Sequence, residues 1–406
     1  MAMEIGFWLC LWLVVYIYIG YPLSAFLLGA IHRRDVRKAK VAPRVSILIA
    51  AYNEEREIEH TVINKLHQDY PLEQLEIIVV SDGSTDRTDE IVADLAAGSG
   101  GRVRLLRQEP RQGKTQALNR AAVQATGEIL VFADANSLYA PDALRALVRN
   151  FADPAVGYVS GKMVYTYSEG GMIGEGSSAY MQYENLLRTL ETRLGSIVGV
   201  DGGIDAVRRE LYVPMRPDQL PDFVLPLNVI EQGRRVVYEA DALLYEPALA
   251  EANGEYQMRV RVALRALWAL YDKRRLFNLF RFPLFAWQLF SHKGLRYLAF
   301  LFLAGLLVCN SLLLGQSPFY DGFFALQLLA YSLAGLGHYF RSSPFGSSKL
   351  FTPYYFAVLN GACAVAFWKF LCGRRIVLWK PRTGAYRHGD ETYVPREPLP
   401  EAPGRD

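Results

Sequence analysis

The run "EILVFADANS", Glu128 to Ser137, passes from four apolar or aromatic residues directly into a carboxylate and an amide. Ile129 to Phe132 reads as a short strand buried on both faces, and Asp134 and Asn136 stand just past its carboxyl end, spaced to project the same way. Two other apolar runs end alike. "RVSILIAAYNE" breaks into Tyr52, Asn53 and Glu54, and "LEIIVVSDGSTD" breaks into Asp82 and Gly83. A strand-end aspartate beside an amide or a second carboxylate suits a hard divalent cation, Mg2+ or Mn2+, which prefers oxygen ligands and shares them with phosphates. Taken alone, Asp134 and Asn136 would do no more than cap a helix beginning near Pro141. Three polar strand ends in one domain favour a single site assembled from three loops.

Such loops need a layer to hold them. Strand-like and helix-like stretches alternate through the middle of the chain, with "RVRLLRQ" as a further strand, and this βαβ pattern predicts a parallel sheet covered by helices on both faces. In open sheets of this kind ligands bind outside the carboxyl ends of the strands. The glycine fingerprint of dinucleotide-binding domains does not follow the first strand. "QGKTQALN" carries Gly-Lys-Thr, but Gln108 stands where a phosphate-binding P-loop needs its first glycine. Hydride transfer and P-loop ATP hydrolysis both lose weight.

The rest of the chain is a different material. Of 406 residues 51% are hydrophobic and 21% charged, with the charge concentrated in the middle and apolar runs at both ends. A net charge of +3, with no basic arm or aromatic RNA motif, gives no reason to expect nucleic acid as a partner. The four cysteines lie in or beside apolar segments at spacings that fit neither a zinc site nor a disulfide framework, so they read as packing residues. Residues 6–31 are long enough to span a bilayer and are followed by His32-Arg33-Arg34. Base on the carboxyl side argues for a retained anchor with the next domain in the cytosol. Leu295–Gly315, Phe319–Phe340 and Thr352–Cys372 are each near spanning length, while residues 260–290 mix arginine, aromatic residues and leucine as helices in the membrane interface do. One span before the domain and three after it would place the tail outside, yet "GRRIVLWKPRTGAYRH" is basic and argues for inside. Either one late segment does not cross, or residues 276–290 do.

In order along the chain, "AYNEE", "SDGSTD", "QGKTQALN", "FADANS", "GVDGGIDAVRR" and "PDFVLPLNVIEQGRRVVYE" resemble the family 2 glycosyltransferases, closest to the membrane-embedded branch that includes cellulose, hyaluronan, chitin-oligosaccharide and poly-N-acetylglucosamine synthases. The resemblance implies an α/β GT-A (Rossmann-like) cytosolic domain with flanking transmembrane and interfacial helices. The expected division is an anchor and basic linker at 1–42, the GT-A domain at 43–258, interfacial helices at 259–292, transmembrane helices at 293–373 and a tail at 374–406. It also implies inverting transfer from a nucleoside-diphosphate sugar, with UDP the expected nucleotide. Tyr52, Asn53 and Glu54 match the loop along the nucleotide, Asp82 the aspartate that reads the base, Gly83 the glycine allowing close approach, and Lys114 the lysine near the nucleotide. Asp134 and Asn136 match the Asp-x-Asp metal element, Asp134 on the donor side as well, and Asp222 matches the general base. Helix capping after Pro221 is the plainer role for Asp222, and the two are compatible.

Two departures stand out. Asn136 replaces the second aspartate, lowering the charge offered to a metal. In "MRVRV", Arg261 keeps the arginine of the Gln-x-x-Arg-Trp motif of processive relatives, a partner for diphosphate oxygens, but Met258 and Val262 replace Gln and Trp. The acceptor platform is therefore missing or supplied elsewhere, and Arg259 and Arg265 read equally as headgroup anchors. The expected partners are a nucleotide-sugar donor, a saccharide or lipid-linked acceptor, the lipid bilayer and export partners, at a bacterial plasma membrane that the chain crosses several times. The competing reading is a non-catalytic nucleotide-sugar-binding scaffold subunit of a polysaccharide export complex.

Overall fold

An almost unbroken apolar sequence folds as one rod that continues through Gly20 and Pro22: α1 (Ala2–Val15), a π-helical turn at Tyr16–Gly20, and α2 (Tyr21–Ile31). The computed structural model describes residues 1–166, 172–247, 252–340 and 352–376. The rod stands on the soluble domain through α2, whose Ala25 is buried with Leu190 and Leu194.

That domain follows the predicted alternation: β1 (Val45–Ala51), α3 (Ile58–Leu66), β2 (Leu75–Ser81), α4 (Thr88–Gly98), β3 (Val103–Arg107), α5 (Lys114–Gln124), β4 (Ile129–Asp134), β5 (Leu138–Tyr139), α6 (Ala143–Val148), β6 (Val156–Thr166), α7 (Met172–Leu194), β7 (Ile204–Arg208), α8 (Pro221–Glu231) and β8 (Arg235–Pro247). The strands form one eight-stranded sheet in the order β3-β2-β1-β4-β7-β6-β8-β5. β1 lies parallel to both β2 and β4, so strand order reverses at β1, the place where such sheets open a crevice. Every residue of β1 and β2 is buried, which is why both read as unbroken apolar runs rather than alternating ones. Alternate residues divide between two cores, Ile47, Ile49 and Val79 facing one layer and Leu48, Ile78 and Phe132 the other. The half beyond β4 is mixed, because β7 runs antiparallel to β4 and β6.

After β8 the chain enters α9 (Ala252–Asp272), then α10 (Pro283–Gln288), a π-helical stretch at Leu289–Gly294, and α11 (Leu295–Tyr297). Three apolar helices follow: α12 (Ala299–Leu312), α13 (Pro318–Phe340) and α14 (Thr352–Leu371). The rod Ala2–Ile31, α13 and α14 are each long and apolar enough to cross a membrane. α12 is too short alone and joins Pro283–Tyr297 through a 59° bend. The segment expected near spanning length over 295–315 breaks at Leu298, and passes as a candidate span only together with Pro283–Tyr297. The reason is electrostatic. Lys293 and Arg296 are drawn to the buried carboxylate of Glu184 in α7, so this end of the segment belongs to the domain.

The expected boundary at 258 falls inside α9. This helix does not lie on a surface: Ala266 and Ala269 pack into the domain core, while Val260, Leu264 and Leu267 pack with Ala362 and Ala366 of α14. α14 runs beside α9, with Tyr355 accepting from Arg259 Nη2 at 2.9 Å near one end and Phe370 4.6 Å from Trp268, between ring centroids, near the other. Its first turn meets the last turn of α13, Tyr354 to His338, and Phe367 meets Phe300 at the start of α12. All four cysteines are free; Gly6 against Cys309 and Gly305 against Cys10 let α1 and α12 approach closely and Cys363 packs beside α9, the packing role expected of them, whereas Cys372 is exposed. The expected tail lies outside the described residues from 377 onward.

Candidate active site

Register brings the three polar strand ends together. Ala51 pairs with Ser81 and Ala50 with Asp134, so β1, β2 and β4 finish in one row. The loops after β1 and β2 then bind each other. Asn53 takes a left-handed backbone (φ 55°), which asparagine tolerates better than most residues, and its side-chain oxygen accepts from Thr85 N at 2.8 Å. Its own N–H donates to Ser84 Oγ at 3.1 Å, and Glu54 N donates to Thr88 Oγ1 at 2.9 Å. Tyr52 carries the Arg111 guanidinium 3.4 Å above its ring. Gly83 also has a positive φ, 71°, and sits against Arg111.

Asp82 is wholly buried. Its carboxylate accepts from Gln108 Nε2 at 2.6 Å, Gln112 N at 2.8 Å and Gly113 N at 2.9 Å, bracing the loop that leads into α5. With no exposed surface, it meets a base only if one of these donors gives way. Lys114 opens α5 immediately after this loop. Its ammonium lies 2.5 Å from Asp134 Oδ1 and 3.8 Å from Asp222 Oδ2. Burial alone would lower its pKa, but Asp134, Asp222 and Asp205 together hold it above the ordinary lysine value.

Asp222 occupies the first turn of α8, directly after Pro221. Burial raises its pKa above the usual aspartate value, Lys114 pulls it down, Asp134 pushes it up, and Arg265 and Arg261 pull it down again. The carboxylate is thus poised between burial and the opposing charges around it, a pattern common at functional sites. Gly202 and Gly203 complete the cluster. Both have positive φ, and a Cβ on Gly202 would lie 2.9 Å from Asp222 Cγ, while one on Gly203 would lie 3.6 Å from Asp134 Oδ2. The turn entering β7 therefore passes between the two carboxylates because it has no side chains there.

The turn bearing Asn136, itself half-buried, is fixed from α3. Thr61 Oγ1 donates to Ala135 O at 2.7 Å, the Asn64 side chain binds both N and O of Tyr139, and the fully buried Lys65 donates to Ser137 O. Burial drives the Lys65 pKa well down, with Asp134 opposing. Among the described residues no three His, Cys, Asp or Glu side chains form a metal set. Asp134 and Asn136 offer two oxygen donors, and the Lys114 ammonium already shows that a cation settles on Asp134. This donor set fits a divalent ion that completes its shell from diphosphate and water, and does not fit an all-protein cage.

The structure thus joins Lys114, Asp134 and Asp222, with the charge of Arg261 felt at Asp222, and joins Tyr52, Asn53 and Glu54 to the loop after Asp82. Several residues of the cluster were not legible in the sequence. Lys65 looks like any helical lysine. Gly202 and Gly203 lay within a quoted motif without a role. Asp205 on β7 is buried beside Ser160, neither oxygen meets a donor at full hydrogen-bond geometry among the described residues, and burial and Asp222 push its pKa well up. Arg265 corrects the headgroup-anchor reading: it is buried in the domain, its guanidinium donating to Thr115 Oγ1 at 3.3 Å, Asp218 O at 3.3 Å and Gln219 O. Burial lowers its pKa to about 10.

Residues 46–213 match the model of glycosyl transferase family 2, and the segment is a domain of that family. Over 170 residues the chain is 33% identical to a beta-monoglucosyldiacylglycerol synthase of Nostoc sp. strain PCC 7120, covering 41% of this chain and 36% of the relative. Over 225 residues it is 26% identical to a poly-beta-1,6-N-acetyl-D-glucosamine synthase of Staphylococcus aureus, covering 54% and 53%. The matches thus span between about a third and a half of these relatives' lengths. A mannosyltransferase of Pyrobaculum calidifontis, solved with GDP-Man and Mn2+, superposes with a TM-score of 0.69 at 24% identity over 89% of this chain and 97% of that one. The fold is GT-A.

Proposed function

We propose that the chain is a membrane-bound, metal-dependent, inverting glycosyltransferase. It moves a sugar from a nucleoside-diphosphate donor, UDP being the expected nucleotide, to a saccharide or lipid-linked acceptor in exopolysaccharide-type biosynthesis at the cytosolic face of a bacterial plasma membrane. The observation that carries this reading is the meeting of Asp134, Lys114 and Asp222 at the carboxyl ends of strands in a family 2 domain.

In the reading, Tyr52, Asn53, Glu54, Asp82 and Gly83 form the nucleotide side. Asp134 and Asn136 would hold Mg2+ or Mn2+, which when bound supplies Lewis-acid stabilisation to the leaving diphosphate. Asp222 takes the proton of the acceptor hydroxyl as its oxygen bonds to the anomeric carbon. The bond from that carbon to the diphosphate breaks with its electron pair, so one displacement inverts the anomer and no protein nucleophile is needed. Lys114 links the donor and base sides and, with Arg261, offers positive charge to the departing diphosphate. The test is turnover of a panel of nucleotide sugars by purified protein in nanodiscs, with Mn2+ or with excess chelator. One donor should release its nucleotide in a metal-dependent way, with the transferred sugar in the opposite anomeric form. Nucleotide binding without turnover of any donor would favour the scaffold reading instead.

A further inference from the structure

Gly202 and Gly203, with φ of 82° and 75°, have no side chains to hold the turn that separates Asp134 from Asp222. The residue before them supplies the grip. The two oxygens of Asp201 each lie 2.5 Å from the guanidinium of Arg188 in α7, one from Nη1 and one from Nη2, a fork of parallel charge-assisted hydrogen bonds. The side chains of Arg188 and Asp201 are only 4% and 7% exposed. Arg188 Nε also donates to Gly199 O at 3.3 Å, and Val198 N donates to Glu191 Oε2 of α7 at 3.1 Å. α7 thus fastens the approach to the turn at Val198, Gly199 and Asp201.

α7 is itself braced by the segments around it. Tyr21 of α2 donates to Glu191 Oε1 at 2.5 Å, and His292 Nδ1 lies 2.7 Å from the same oxygen. Lys293 and Arg296 pair with the buried Glu184, which lies 3.9 Å from Arg188. Burial alone would lower the Arg188 pKa, but Asp201 and Glu184 hold it above the ordinary arginine value, so the fork stays charged. The clamp matters because of what the turn touches. A Cβ on Gly202 would lie 2.9 Å from Asp222 Cγ, so the backbone there has no slack toward the base. Movement the other way would free both carboxylates to shift, and a misplacement of about 1 Å can cost roughly 10²-fold in rate. We propose that Arg188 and Asp201 are positioning residues for the transfer: their ion pair clamps the turn of Gly202 and Gly203 and thereby fixes Asp222 relative to Asp134 and the donor. This rests on the transferase reading, and the pair acts through the turn rather than on the reacting atoms.

The test sets Arg188→Lys and Asp201→Asn, in the full chain in nanodiscs, beside Arg149→Lys. The last breaks a similar fork on Glu239 of β8, a pair whose further contacts are Lys38, Asn150 and Asp241. Lysine keeps the charge but not the parallel bonds. With the nucleotide sugar that the wild type turns over, Arg188→Lys and Asp201→Asn should each lower kcat at least about tenfold and leave the donor KM within about twofold. Arg149→Lys should change neither. Amide hydrogen exchange over residues 199–204, read by mass spectrometry without donor, should be at least about tenfold faster in the first two variants and unchanged in the third. Exchange over β1 and β2 at the wild-type rate shows that each variant is folded. Wild-type exchange over 199–204 in both Arg188→Lys and Asp201→Asn, or a loss of kcat shared equally by Arg149→Lys, overturns the inference. A wild type that transfers no sugar counts against the transferase reading instead, while the exchange rates still decide whether the pair clamps the turn.

Discussion

In the proposed reading three charged groups carry the chemistry, and the middle one is a lysine. Lys114 lies between Asp134 and Asp222, so its charge holds down a base that burial would otherwise push up. A general base works only when deprotonated, and the acid limb of the rate profile reports its pKa. Lys114→Met removes the charge that opposes protonation of Asp222, so the limb should move to higher pH than in the wild type, in addition to any loss of donor affinity. A kcat/KM profile measured on both proteins checks this; an unmoved or lowered limb would show that Lys114 does not tune Asp222. Asp134 was legible in the sequence because a parallel strand reads as an apolar run that stops abruptly at polar residues, and Asp222 only through the family resemblance of the stretch after Pro221. The pairing of Lys114 with both of them was not, since it depends on the register of β1 with β4 and on the turn of Gly202 and Gly203.

At the scale of elements, α9 links chemistry to membrane. Its sequence mixes arginine with apolar residues, which from composition alone resembles a helix lying among headgroups. The structure buries it on two sides instead, between the domain core and α14, and Arg265 faces inward to brace the segment before α8 that presents Asp222. Lysine cannot reproduce that fork. Arg265→Lys should leave carbonyls at Asp218 and Gln219 underbonded, costing about 1–3 kcal/mol of stability, and should lower transfer through a misplaced α8. Arg275→Lys, at an exposed position, should change neither. Thermal melting and transfer rates on the two variants decide it, and equal behaviour would return Arg265 to an anchoring role. The helices themselves were readable from apolar length. The break at Leu298 was not, because it arises from Glu184, far away in the chain, drawing Lys293 and Arg296 to the domain.

For the whole molecule, the arrangement of α14 answers the conflict between three late apolar segments and a basic tail. Its two ends touch the last turn of α13 and the first turn of α12, and its length follows α9. We expect α14 to lie along the face that carries the GT-A domain, with Cys372 at its end on the same side. Cys372, exposed at its end, reports this directly once Cys10, Cys309 and Cys363 are replaced by alanine. In vesicles whose catalytic domain is open to added protease, a membrane-impermeant maleimide should label Cys372; labelling only in the opposite orientation would mean that α14 crosses. The proposed function requires one carboxylate to do chemistry beside a membrane, and the most direct measurement compares Asp222→Asn with the wild type in nanodiscs, with Mn2+ and the active nucleotide sugar. Donor binding should be unchanged and transfer reduced by about 10²–10⁴, the usual contribution of a general base. Transfer by the Asp222→Asn variant within a few-fold of the wild type would contradict the assignment and leave Asp222 as a helix cap.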